Sequence, residues 1–381
     1  MFPTLRNGDS CTHSVTAYGH RSTAWQVKIG RTMLKISVEL DPPTSREYIA
    51  HALMLFVDPS EAQVDIPNRS DPGLWYFAPG VHWLGGQIPI PASIKQIYLA
   101  AGSYVHGGFI TSSTGCSVRI HGRGILSGET FPFDTSLHSN FTWALLNMDN
   151  GSDHGVEGIT LVDPPMYYFR SYAPGVSIRN VKLVSAWTFN TDGVVTGQNG
   201  LVEDCFIRAN DDSVKLYDDG MRVRDSVVWQ LKNGAVFQLG WWSVVDRQNI
   251  SATNIDIIHT EWLEPGVSQA STNDAVLDCA PGGSRAYDTR YISLQNIRVE
   301  GFVYRLLNLV LNPGAVGGMR AINLENISVI DGGYIQEGTV SGNISDVRVS
   351  NLVVDGTCIE SGLQMNLTTD VRDVKFSCNT N

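Results

Sequence analysis

ENISVI, residues 325–330, places an asparagine in front of an alternating run of apolar and polar residues, and the chain repeats this phrase with variations. The other copies are GITLV (158–162), RNVKLV (179–184), EDCFI (203–207), RDSVVW (224–229), TNIDII (253–258), QNIRVE (295–300), SNLVVD (350–355) and RDVKF (372–376). Their anchors are Gly158, Asn180, Asp204, Asp225, Asn254, Asn296, Asn326, Asn351 and Asp373, spaced 22, 24, 21, 29, 42, 30, 25 and 22 residues apart. Alternation with period two predicts strands, and a recurring interval of twenty-odd residues predicts a solenoid. No helical stretch separates the copies, so each turn is built from strands and bends. The expected fold is all-β: a right-handed parallel β-helix, with the 42-residue interval carrying a loop on one side of the stack. GCSVRIHGRGILSG (115–128) reads as an earlier turn.

Residues 1–70 have a different texture. KISVELDPP and ALMLFVDP are strands ended by proline, which suits antiparallel hairpins. The expected organisation is a reduced, sandwich-like N-terminal β module over 1–70 and a catalytic β-helix over 71–381.

Composition narrows the function. Charged residues make up 17% and the net charge is −11, which argues against nucleic acid, whose phosphates are met by Lys and Arg. A neutral substrate fits better than a polyanion. No apolar run approaches a membrane span. Asn-x-Ser/Thr sequons at Asn68, Asn140, Asn150, Asn249, Asn326, Asn343 and Asn366 point to a secreted glycoprotein. The first residues, MFPTLRNGDSC, lack the apolar core of a signal peptide, so secretion is inferred from the sequons. Of six cysteines, Cys358 and Cys378 are the expected disulfide pair, whereas Cys205 in VEDCFIRA reads as a buried small hydrophobe.

WTFNTDG (187–193) and RANDDSVK (208–215) hold the candidate chemistry. Asp192 and Asp211 are 19 residues apart, close to one turn, so Asp192, Asp211 and Asp212 are expected on neighbouring coils, within several ångströms of one another. Like charges this close raise at least one pKa. A protonated acid beside an ionised base is what glycosidic hydrolysis requires. Aspartates in NTDG and NDDS are also good turn residues. Their coincidence on adjacent coils, with Lys215 and Trp187 beside them, favours a site. Asp218 and Asp219, followed by Gly220, have no opposing carboxylate and read as a turn.

WTFNTDG, NDDSVKLY (210–217) and VFQLGWW (236–242) together resemble glycoside hydrolase family 49, the dextranase and isopullulanase family, and share their aspartate layout with the family 28 polygalacturonases. GRGILSGE (122–129) adds to the likeness, which runs from WYFAPGVHWLGG (75–86) to about residue 330. The resemblance implies an inverting hydrolase of a neutral α-glucan, dextran with α-1,6 or pullulan with α-1,4 links. Asp211 would be the general acid, and Asp192 and Asp212 would hold and deprotonate the attacking water. It places Lys215 in a cleft, although strand alternation puts that residue opposite Asp212 unless a bend intervenes. Tyr217 and Trp241 would stack on sugar rings or fill the core. Asn190 and Asn210 would orient carboxylates or join an internal asparagine ladder, the ladder being the commoner use. Gln238 points to the same region.

The polygalacturonase pattern also carries a Gly-His-Gly and an Arg-x-Lys for substrate carboxylates, and neither occurs here. A pectin hydrolase is therefore the second enzymatic reading. A β-helix repurposed for binding, or for a non-polymer substrate, is the third, kept open by an N-terminal segment shorter than the family's sandwich domain. No metal or cofactor is needed for the expected chemistry. His259, in IIHTEW, reads as structural.

Overall fold

The computed structural model describes residues 34–39, 52–131, 144–184, 190–240, 245–262, 273–279, 287–312, 314–371 and 373–378. The chain divides into two compact units, Met1–Ile66 and Pro67–Asn381. In the first, strands Leu34–Glu39 and Ala52–Val57 pair antiparallel as a hairpin. The second is the expected right-handed parallel β-helix, with no α-helix among the described residues.

Each coil runs through three stacked sheets. Strands such as Ser177–Arg179 and Leu201–Glu203 form the first, and Lys182–Val184 and Phe206–Ala209 form the second. The third stacks Ala144–Asn147, Tyr167–Arg170, Val194–Val195, Val214–Lys215, Phe237–Gln238, Leu277–Cys279 and Val303–Val310. From Arg222 onward the first two strands merge into long ones bent at the anchor, as in Thr289–Glu300 and Met319–Ile330.

The anchor residue is the corner between the first and second sheets. Asn180, Asp204, Asp225, Asn254, Asn296, Asn326 and Asn351 all have φ between 50° and 56°, and Gly158 has φ 77°. Asn and Asp tolerate this left-handed conformation better than other side-chain-bearing residues, which explains why the phrase begins as it does. Outside the corner the asparagines form a ladder. Asn254, Asn296, Asn326 and Asn351 each donate from Nδ2 to the residue one coil back, at 3.0, 3.2, 3.2 and 2.9 Å, with Asp225 accepting the first bond. The amide of the Asn326 sequon is thus engaged within the ladder. Inside, Val156, Ile178, Val202, Val223, Ala252, Leu294, Leu324 and Val349 stack in register, each 1% exposed or less. Burying each Val, Ile or Leu contributes roughly 1.5–3 kcal/mol.

Asp373 departs from the expected row. Val374 pairs with Val347, so Asp373 stacks on Asp346, five positions before Asn351. Asp346 belongs to a second left-handed corner, at the start of the first sheet, which also holds Asn249, Tyr291 and Ala321 at φ 52–58°. Ala321 lacks a polar side chain to favour that conformation. Ala321→Gly is expected to raise stability by about 0.5–1 kcal/mol, the relief of left-handed strain less the added chain entropy of glycine. Chemical denaturation checks this, and a loss of stability would show that Ala321 is unstrained.

Cys358 and Cys378 form the expected disulfide. Cys205 is buried and in no disulfide, its thiol donating to the Glu203 carbonyl at 3.2 Å.

Candidate active site

The bend between the second and third sheets carries both aspartate patches. Gly193 N–H donates to the Asp212 carbonyl and Val194 N–H to that of Ser213, so Asp192 stacks directly on Asp212 at a step of 20 residues. One carboxylate oxygen from each of Asp192, Asp211 and Asp212 lies within 4.8 Å of the others. The three residues are 2%, 8% and 1% exposed, so Asp211 is the most accessible.

Lys215 joins them because the third-sheet strand begins only at Val214. Asp212 lies in the preceding bend, and Ser213 and Val214 are both fully buried. Simple alternation is broken, and Lys215 returns to the side of Asp212. Its ammonium donates to Asp212 Oδ2 and stands 3.1 Å from Asp192 Oδ2. That second contact is an ion pair without hydrogen-bond geometry, and both Asp192 oxygens lack a directed hydrogen bond from the described residues. The rings of Tyr167 and Tyr217 lie 5.4 and 5.5 Å from the ammonium. Tyr217 Oη is 3.5 Å from Nζ.

The other two carboxylates are held differently. Asp211 Oδ1 accepts from the Asp212 N–H at 2.8 Å, and its Oδ2 accepts from Asn233 and Asn190 at 2.7 and 3.3 Å. Asp212 Oδ1 accepts from the Ala235 N–H and from Asn273 Nδ2, both at 3.0 Å. Beneath them, Gln230 donates to the Asp211 and Asn233 carbonyls at 3.0 and 2.6 Å and accepts from Ser213 Oγ at 2.6 Å. The next coil presses against this turn at Gly234, where a Cβ would meet the Asp211 carbonyl carbon at 2.3 Å. Its φ of +89° also demands glycine.

Electrostatics follow from the burial. Desolvation, then the charge of Asp211, pushes Asp192 well above the usual carboxylate range, with Lys215 pulling the other way. Burial and the Asp212 charge push Asp211 up to about 6. Burial would lower the Lys215 ammonium, but the facing Asp192 and Asp212 outweigh it and hold it well above its ordinary value. Asp192 and Asp211 are thus both held above the ordinary carboxylate range within one cluster of carboxylate oxygens. Three such oxygens are also a common donor set for a divalent cation. Here the Lys215 ammonium already supplies positive charge to two of them.

Asn190 holds Asp211, while the asparagine ladder runs along the outer corner elsewhere. Asn210 accepts the Asn233 N–H at 3.3 Å. Gln238 is buried one coil beyond Lys215, with Oε1 accepting from the Gly240 N–H at 2.8 Å and Nε2 donating to Asp278 at 2.8 Å. Its polar atoms therefore serve the protein. Trp187 and Trp241 lie outside the described residues. His259 packs on Trp229 at 4.5 Å.

Tyr167, Asn233, Asn273 and Asp278 carry no signal in the motifs. Asp278 follows Gln238 in the Lys215 row and is fully buried, with Asn308 Nδ2 2.5 Å from its Oδ2. Burial raises it to about 7 against the pull of the Gln238 and Asn308 amides. A carboxyl raised above its unfolded value adds stability that is complete below about pH 4 and lost as pH rises through about 7. Asp278→Asn is therefore expected to flatten the fall of Tm between pH 4 and 7. An unchanged slope would remove Asp278 as its source.

A separate concavity is bordered by Lys95, Arg119, Asp153, Glu157 and Arg179 on the first sheet. Its two arginines are exposed, and their pairs with Glu157 at 2.9 Å and with Glu203, outside the concavity, at 2.5 Å are worth about 1 kcal/mol or less each.

No family model matches the chain. It is 25% identical over 299 residues to a dextranase of Arthrobacter globiformis, covering 71% of this chain and 46% of that protein. It is 24% identical over 386 residues to the isopullulanase of Aspergillus niger, covering 85% and 68%. The chain spans about half the length of the dextranases it matches. Dex49A from Penicillium minioluteum superposes with a TM-score of 0.79 over 96% of this chain and 77% of that one. At 18% identity this last match speaks to the fold alone. The resemblance to family 49 read from WTFNTDG and NDDSVKLY is borne out.

Proposed function

We propose that this chain hydrolyses glucosidic bonds inside a neutral α-glucan, with inversion, at Asp192, Asp211 and Asp212. The observation that carries the reading is their convergence, buried, within 4.8 Å around Lys215. Asp211, the most exposed of them and raised to about 6, donates its proton to the glycosidic oxygen as the C–O bond breaks. Asp192 and Asp212 hold a water and take its proton as its oxygen bonds to the anomeric carbon. Burial and Asp211 hold Asp192 above the ordinary carboxylate range, and Lys215, 3.1 Å away, pulls it back towards the ionised state that this base role needs.

Inverting enzymes generally separate their acid and base by about 6.5–9.5 Å and retaining ones by about 5–5.5 Å. Oxygens within 4.8 Å fall short of the inverting range, and inversion is what the resemblance to family 49 implies. Proton NMR of the first product's anomer tests it directly.

A neutral glucan also suits the neighbouring cations. Arg170 and Arg305, on third-sheet strands, pair with Asp149 and Glu337 at 3.1 and 2.9 Å. Neither is left uncompensated for a substrate carboxylate, which weighs against pectin. Tyr167 and Tyr217 are half-buried beside Lys215 and offer rings for a sugar face. The sequons and the Cys358–Cys378 bridge support secretion. The test is incubation with dextran, pullulan and polygalacturonate, following reducing ends. Release from dextran or pullulan supports the proposal, and release from polygalacturonate alone overturns it. No release from any polymer favours a repurposed site.

A further inference from the structure

Trp83 stands on the first long strand of the helix, Gly80–Ile90, and is 68% exposed. The tryptophans that serve the core behave otherwise: Trp229 and Trp262 are 0% and 1% exposed. One face of the Trp83 indole lies flat on the His106 ring, centroids 3.8 Å apart and planes 8° from parallel. His106 is 6% exposed and is held in turn by Tyr104, its ring 4.8 Å away, and by Glu129, 3.4 Å from Nδ1. Tyr104 Oη donates to the second Glu129 oxygen at 3.0 Å. The side chain is thus fixed from behind, and a half-exposed carboxylate stands near the ring that backs it.

We propose that Trp83, backed by His106 with Glu129 beside that ring, is a second sugar-binding platform that grips a neutral α-glucan away from the reacting bond. A pyranose offers an apolar C–H face and a rim of hydroxyls. An immobilised indole matches the first, and a carboxylate acceptor matches the second. That carboxylate and the net charge of −11 disfavour an anionic polymer. Register links the platform to the aspartates. Trp83, His106, Ser127, Val162 and Val184 are successive partners along the second sheet, and the next position in that row is Arg208, three residues before Asp211. Five coil steps of about 4.8 Å put Trp83 roughly 24 Å from the coil of Asp211. A polymer lying along this corner reaches both places, whereas a short oligosaccharide on the aspartates does not.

This inference rests on the glucan reading, so its test separates the two. In an Asp211→Asn background, binding of long-chain dextran and of pullulan is compared with binding of a glucose trisaccharide, with and without Trp83→Ala. Trp83→Ala is expected to weaken polymer binding about tenfold, the scale of losing one aromatic contact, and to leave the trisaccharide affinity alone. Trp83→Tyr should restore most of the difference. Equal polymer affinity with and without the indole overturns the platform and leaves the catalytic reading standing. A marked fall in Tm on Trp83→Ala with no change in binding assigns Trp83 to internal packing and also overturns it. If the parent binds neither polymer nor trisaccharide, both readings fall together.

Discussion

Asp211→Asn is expected to lower kcat on dextran or pullulan by about 10²–10⁴-fold with little change in KM or fold, since the amide is isosteric but has no proton to give. The loss should depend on the leaving group. An aryl α-glucoside with a good leaving group needs little protonation, so the variant should recover much of its rate on it. Asp192→Asn and Asp212→Asn should not, because they damage delivery of the water. The pH dependence follows from the same assignment. The acid works while protonated, so activity should fall as pH rises through about 6, the value to which burial and the Asp212 charge push Asp211. Stability has the same sign: the contribution of Asp211 is complete below about pH 4 and lost as pH rises through about 6. An Asp211→Asn enzyme with wild-type activity on polymer, or one equally impaired on the activated glucoside, removes Asp211 as the acid.

How much of this was legible in the sequence depended on whether a feature was local or a product of stacking. The left-handed corner is local: an Asn or Asp before an alternating run marks it, and eight of the nine anchors fall into register. Asp373 fails because the last coil enters by the other corner, and a polar residue before RDVKF-like alternation is the same signal at both. The aspartates were legible because the coil length between them is a count. The patches do fall on neighbouring coils, and within them Asp192 stacks on Asp212. The side of Lys215 depended on a bend in which Ser213 and Val214 both turn inward, which alternation cannot reveal. Asn233 and Asn273 reach the site from later coils, the second 61 residues from Asp212 across the longest interval, where no period survives. Gln230 and Gly234 shape the turn from beneath through backbone contacts and carry no motif.

Lys215→Met is expected to be the more damaging change for the fold and to cost activity as well. The ammonium is buried, donates to Asp212 and faces Asp192 at 3.1 Å. Methionine fills much of the same volume and returns no charge, so two buried carboxylates lose their counter-ion. Breaking a buried pair from one side typically costs about 3–5 kcal/mol. Much of that cost should appear only where the carboxylates are ionised. Asp192, already held well above the ordinary range by burial and by Asp211, moves higher still without Lys215. A carboxyl raised in the fold contributes stability at low pH that is lost as pH rises. The deficit against the wild type should therefore be small near pH 4 and grow towards pH 8, as urea unfolding at both values would show. Activity should fall because Asp192 is drawn further towards protonation, and the acid limb of kcat/KM should move to higher pH. Lys215→Arg keeps the charge but not the compact ammonium, and should recover stability more fully than rate. A Lys215→Met protein with an equal deficit at both pH values would mean that the lysine acts by packing. One with an unmoved acid limb would mean that Asp192 does not depend on it for its charge.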